Sequence, residues 1–83
     1  MSLEKHGLLK EFPEHHHTIR HLKMNDAHFA RTLDEYTEID NEIYNIESGD
    51  HPSSDEYLEQ QKLLRVQLKD KLFAMVKKEE ALQ

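Results

Sequence analysis

Two long amphipathic stretches, residues 26–47 and 54–80, dominate this chain, and a short breaker segment separates them. In the first stretch apolar residues recur three or four positions apart, which is typical of one face of an α-helix and not of a β-strand. The breaker contains Gly49, placed to end a helix, and Pro52, which cannot continue one. This layout predicts two helices that fold back on each other. The apolar stripe of the first stretch consists of Phe29, Leu33, Tyr36, Ile39, Ile43 and Ile46.

The second stretch begins with residues that favour the start of a helix. Ser53 and Glu56 have the spacing of a capping box, in which each side chain bonds to a backbone N–H of the other. Farther along, apolar residues again follow a helical period, so we expect them to face the first stretch. The predicted inner face consists of Tyr57, Gln61, Leu64, Leu68, Leu72 and Met75.

A shorter helix is predicted ahead of the two long ones. Pro13 suits the first position of a helix, and Asn25 or Asp26 is expected to cap the helix that follows. The fold class is therefore all-α: an antiparallel two-helix hairpin, coiled-coil-like, with a short N-terminal helix. We expect residues 1–12 to be a flexible or partly docked segment and residues 13–83 to be a single domain. Its helices are predicted at about 14–23, 26–48 and 54–80.

Opposite charges on the two long stretches support their pairing. Residues 26–48 hold seven acids and one base, a net charge of −6, whereas residues 62–78 hold six bases and one acid, a net charge of +5. Each exposed ion pair contributes only ~0–1 kcal/mol, so the pairs select register more than they stabilise the fold. With a chain reversal near His51, the predicted pairs are Lys62 with Asp40, Arg65 with Glu38, and Lys69 with Asp34.

Short motifs between Phe12 and Met75 form a pattern that covers most of the chain. They are Phe12-Pro13-Glu14-His15, Ile19 and Leu22, Asn25 with His28-Phe29, Tyr36, Ile39-Asp40, Ile43, Glu47, Ser54-Asp55 and Leu68-Lys69-Asp70. Together they resemble the YdcH-like family of small bacterial proteins. The resemblance implies a helical hairpin in a bacterial cytoplasm. It implies no activity, because the family is known as a domain of unknown function.

Composition excludes several classes of site. The chain has no cysteine, which rules out disulfides and thiolate metal ligands. No apolar run approaches the ~20 residues needed to cross a bilayer, and the polar first residues lack the apolar core of a secretory signal. We therefore expect a cytoplasmic protein that uses neither a membrane nor a cofactor.

Seven histidines are unusual in 83 residues and raise the question of a metal site. His17 and His21 lie four positions apart, so both could reach one divalent ion from the same helix face. A stable site needs a further ligand, which Glu14 or His28 would have to supply. We favour an exposed helix face and predict no metal site, with His17 and His21 as the weak candidates. Clustered histidines also permit a response to pH.

Two further features invite sharper interpretations. Asp40 lies beside the apolar stripe, where we expect it to pair with Lys62 or to fix register rather than to catalyse a reaction.

A basic stripe on the last helix suggests phosphate contacts with nucleic acid. The whole chain has a net charge of −6, however, so neutralisation by the acidic helix explains the stripe better. The stripe consists of Lys62, Arg65, Lys69 and Lys77.

The last helix also carries more apolar surface than one helix–helix contact needs. A two-helix hairpin cannot enclose a cavity of the few hundred Å³ that enzymes use. We therefore predict a non-enzymatic protein–protein interaction module, an adaptor or modulator that binds another protein or itself and no small-molecule substrate. The alternatives are a small regulator that contacts RNA or an RNA-processing assembly, and a metal or pH sensor built on residues 15–21. The predicted interaction face is Leu63, Val66, Phe73 and Val76.

Overall fold

The computed structural model describes residues 12–49 and 53–82, and within these ranges it contains helices and no strands. The fold class predicted from the sequence, all-α, is confirmed at this level. Each helix begins and ends within two residues of its expected range. Only Phe12 of the predicted N-terminal segment lies among the described residues. A 3₁₀ turn, Pro13–His15, leads into α1 (His16–Asn25), which is followed by α2 (Ala27–Glu47) and α3 (Asp55–Ala81).

Side-chain caps fix the starts of the two long helices. The Asp26 carboxylate accepts a hydrogen bond from the Phe29 N–H at 3.1 Å, which identifies Asp26, and not Asn25, as the N-cap of α2. Ser54 accepts from the Tyr57 N–H at 3.2 Å and caps α3. The capping box predicted from Ser53 is therefore wrong by one residue.

The end of α2 depends on the backbone freedom of glycine. Gly49 has a φ of +90°, a conformation that L side chains rarely adopt. Its N–H donates to the Ile46 carbonyl at 3.2 Å, which satisfies one of the free acceptors at the helix end. Residues 50–52, which include the predicted breaker Pro52, lie outside the described residues.

α2 packs along α3, and α1 packs on both. Their contacts are consistent with the expected hairpin. Two residues assigned to the inner face of α3, Tyr57 and Leu64, are instead exposed, while Ile43 is fully buried but separate from the main cluster. That cluster consists of Ile19, Leu22, Phe29, Tyr36, Leu68, Leu72 and Val76, with Phe12, Leu33, Ile39 and Met75 packed at its margin.

Aromatic and polar contacts join residues 12–25 to Phe73, Glu79 and Glu80 of α3. We call residues 12–36 and 68–82 the three-helix end, and residues 37–49 and 53–67 the two-helix end. α3 has 27 residues, so at about 1.5 Å per residue it spans most of the 44 Å length of the molecule. One helix therefore belongs to both ends and meets a different environment in each.

Candidate interaction surface

Two large apolar side chains lie next to each other on the outer side of α3. Leu63 is 60% exposed and Val66 is 46% exposed. Residues three or four apart on a helix are neighbours, so Glu59 and Asp70 continue the same line, and both are exposed. At 100° per residue, these four side chains fall within an arc of about 60°. We call Glu59, Leu63, Val66 and Asp70 the outer stripe.

The structure divides the interaction face predicted from the sequence. Leu63 and Val66 are exposed as expected. Phe73 is partly covered because it stacks on Phe12, with ring centroids 4.8 Å apart. Val76 is fully buried in the main cluster, so its assignment to an exposed face is wrong. The reason is that the N-terminal part of the chain docks on this end of α3 and covers it.

The same docking creates a polar cluster that sequence reasoning missed. His15 Nδ1 lies 2.6 Å from Glu80 Oε2, and the Thr18 hydroxyl donates to the same oxygen at 2.9 Å. The hydrogen bond from His15, assisted by Thr18 and by the charge of Lys77, lowers the pKa of Glu80 below its ordinary value of 4.5. An ionised carboxylate can only accept hydrogen bonds, so His15 Nδ1 carries the proton. No local signal predicts this contact, because its partners lie 65 positions apart in the chain.

The histidines singled out as metal candidates are both exposed. His21 Nε2 lies 3.4 Å from Glu79 Oε1, and His17 contributes to no site that the structure defines. In residues 12–49 and 53–82, no three histidine or carboxylate side chains lie close enough together to hold a metal ion. His15 and His21 thus each lie against a carboxylate of α3.

The basic stripe is partly neutralised within the chain, as expected, but in a different register. Lys62 Nζ lies 2.9 Å from Glu47 Oε2, and Arg65 Nη1 lies 3.0 Å from Asp40 Oδ1. The predicted pairing of Lys62 with Asp40 is therefore wrong, as is that of Arg65 with Glu38. The predicted partner of Lys69, Asp34, makes no ion pair with it in the described part of the chain, and Lys77 is exposed.

Asp40 occupies a buried position between α2 and α3. It is 3% exposed, and its pairing with Arg65 supplies the charge partner that a buried carboxylate requires. The expectation that Asp40 makes a polar contact in the helix interface is supported, with a different base. Nearby, the Tyr57 hydroxyl donates to the Glu42 carboxylate, and this bond raises the pKa of Tyr57.

Two open grooves flank the docked N-terminal residues. One has a volume of about 350 Å³, and the other, beside the Phe12–Phe73 stack, has about 330 Å³. Both spaces are open to solvent rather than enclosed, and the smaller one is lined by residues 12–15 and Phe73. The larger groove combines apolar and charged side chains: Leu22, Asp26, His28, Lys71, Met75, Lys78, Glu79 and Leu82.

The fold and the site together define a small all-helical protein whose described residues hold an exposed apolar pair and no assembled group of metal ligands. The chain belongs to the YdcH-like family of small domains: the family model described as "Protein of unknown function (DUF465)" matches residues 29–76, more than half of the chain. The resemblance found in the sequence is thereby confirmed, although its motifs before Phe29 lie outside the matched range. No curated protein and no solved structure matches the chain. No helix in the described ranges is long and apolar enough to span a membrane.

Proposed function

We propose that this protein is a non-enzymatic protein–protein interaction module that presents the outer stripe of α3 to a partner. The observation that carries the proposal is the exposure of Leu63 and Val66 side by side. Single exposed apolar residues are common and need no explanation, but an adjacent pair on a rigid helix offers a small patch that a partner can cover. Burying apolar area contributes about 25 cal/mol per Å² of favourable free energy, so covering this patch would stabilise a complex.

In this proposal α2 and α3 form an antiparallel, coiled-coil-like hairpin. Two ion pairs support that arrangement: Lys62 pairs with Glu47, and Arg65 pairs with Asp40. The residue numbers increase along α3 while those of their partners decrease along α2, as in antiparallel helices. A hairpin holds the outer stripe away from α2, where a partner helix can reach it. The family resemblance further suggests a bacterial cytoplasm as the setting.

The alternative function, a regulator that contacts RNA or an RNA-processing assembly, would use the basic stripe. Two of its four bases, Lys62 and Arg65, point toward carboxylates of α2. Only Lys69 and Lys77 are left for phosphates, and sequence-independent RNA binding depends on several such contacts. We therefore place the protein-binding function first.

The two functions make different predictions for affinity capture from a bacterial lysate. Immobilised full-length protein should retain a partner after nuclease treatment, and L63S/V66S should lose it. The matched control is M24S/L82S, which removes two exposed apolar side chains at the three-helix end. Circular dichroism should show equal helix content for all three proteins.

Equal capture by the wild type and L63S/V66S, or no capture by either, would contradict the proposal. Capture that disappears with nuclease and with K69E/K77E would instead support the RNA alternative.

A further inference from the structure

We propose that the element that docks on the outer stripe is an amphipathic helix of another protein, with an apolar pair bracketed by two basic residues. This inference rests on the proposed function and adds the chemistry of the partner. It follows from the order of side chains along α3, where an acid stands at each end of the apolar pair: Glu59, Leu63, Val66, Asp70.

The spacing of the stripe matches the surface of a second helix. Its members are separated by four, three and four residues, which is the alternating spacing of the seam between two coiled helices. Glu59 and Asp70 are eleven residues apart, or about 16 Å along the axis. A partner helix with the same spacing can place its apolar pair on Leu63 and Val66 and one base at each acid. This is the helix-on-helix mode of peptide recognition.

The unpaired charges closest to the apolar pair are negative, because the nearby bases either form ion pairs with α2 or lie outside the arc of the stripe. Lys62 and Arg65 are paired with carboxylates of α2, and Lys69 lies about 60° around the helix from Val66 and about 90° from the centre of the stripe. Neither Glu59 nor Asp70 has an ion-pair partner among the described residues. A docking helix therefore meets two unpaired carboxylates at the rim of the contact, where complementary charge promotes association and excludes unsuitable partners.

A second copy of the chain does not fit this surface. If two outer stripes met in antiparallel orientation, Glu59 of each copy would lie against Asp70 of the other at both ends. In parallel orientation each acid would lie against itself. Both orientations bring like charges together, which disfavours the contact. The stripe thus selects a basic helix and opposes self-association through the same residues.

The test uses two synthetic 18-residue helical peptides and the full-length protein. Both peptides carry leucine at positions 8 and 11, while positions 4 and 15 are lysine in one and glutamate in the other, so the spacing of the stripe is reproduced in either direction. Fluorescence anisotropy at low salt should give a dissociation constant about tenfold lower for the lysine peptide, since two exposed ion pairs are individually weak.

Reversing the charges of the protein should reverse the preference. E59K/D70K should bind the glutamate peptide about tenfold more tightly than the lysine peptide, while L63S/V66S should weaken both. The control M24S/L82S should behave like the wild type. A lysine-peptide preference that persists in E59K/D70K would overturn the inference, because it would locate binding elsewhere, for example on acidic α2.

Sedimentation equilibrium tests whether a second copy of the chain, instead of another protein, covers the outer stripe. A dimer that L63S/V66S abolishes would assign the stripe to a second copy and overturn the inference. The proposed function can survive that failure: lysate capture that needs Leu63 and Val66, but is unchanged in E59K/D70K, would retain the interaction module and reject the basic helix. Capture that is unchanged in L63S/V66S would reject the proposed function itself.

Discussion

The outer side of α3 is covered at the three-helix end and exposed at the two-helix end. Phe73, at the three-helix end, is partly buried because it stacks on Phe12. Val66 lies seven residues earlier, only about 20° away around the helix, and is 46% exposed. The difference cannot come from the helix itself, which is continuous from Asp55 to Ala81. It comes from what packs against the helix in each region.

The residues that lead into α1, together with its first turn, account for the difference. Two paired helices share one contact face, so apolar residues on any other side of α3 stay in water unless a third element covers them. Phe12, His15 and Thr18 supply that element around Phe73 and Glu80. At the two-helix end the interface also contains a polar pair, Asp40 with Arg65. One end therefore holds most of the apolar core, and the other leaves apolar side chains exposed.

The largest expected effect separates a buried leucine of α3 at the three-helix end from an exposed one at the two-helix end. Leu72→Ala should lower the free energy of unfolding by about 2–5 kcal/mol, because it leaves a cavity in the main cluster. Leu63→Ala should change it by no more than about 0.5 kcal/mol, since the side chain is already in water. Urea denaturation followed by circular dichroism measures both. Similar losses for the two variants would contradict this difference in burial.

The next largest effect concerns the polar pair of the two-helix end. Asp40→Ala leaves Arg65 partly buried without its carboxylate, and we expect a loss of about 1–3 kcal/mol in unfolding free energy. Adding Arg65→Met should recover part of that loss, because a flexible apolar side chain can fill the space without needing a partner. A double-mutant cycle from urea denaturation gives the coupling between the residues. Strictly additive losses would show that the pair does not act as a unit.

Sequence reasoning located the helices well because their signals are local. The three- and four-residue spacing from Phe29 to Ile43 defines α2 without any tertiary information. A capping side chain next to such a run, such as Asp26, marks where the helix starts. These features depend on residues within one or two turns, so the printed sequence contains them.

The register and the exposed surface were harder to predict, because both depend on distant contacts. Arg65 and Lys62 lie one turn apart among several acids, and weak exposed pairs do not decide which base meets Asp40. Val76 was placed on an outer face since nothing near it in the chain shows that Ile19 shares its cluster. Only the outer positions of Leu63 and Val66, far from α1, kept their predicted exposure.

A smaller effect is expected at Gly49, where α2 ends. Gly49→Ala should lower the unfolding free energy by about 1–2 kcal/mol, because φ is +90° and an L residue is strained in that region. Apart from Gly49 and its chain neighbours, no heavy atom of the described residues lies within 4 Å of the added Cβ, so the expected loss is conformational and not steric. Gly49→Asn should cost less, since asparagine tolerates this region better. Thermal unfolding compares the two, and equal losses would contradict the backbone explanation.

The smallest expected effect is a loss of stability at the three-helix end as the pH falls. The hydrogen bond from His15, aided by Thr18 and Lys77, lowers the pKa of Glu80. A carboxylate with a lowered folded-state pKa stabilises the fold above its ordinary value of 4.5, and this contribution fades as pH falls through the folded-state pKa. Amide hydrogen exchange should therefore show α1 losing protection below about pH 4.5 before the two-helix end does.

Glu80→Gln should weaken α1 slightly at neutral pH and remove most of this acid dependence, because glutamine does not titrate. Glu79→Gln is the matched control: its partner His21 is more exposed and its contact longer, at 3.4 Å, so the acid response of α1 should remain. An α1 whose protection falls equally with acid in both variants would show that Glu80 does not hold the third helix in place.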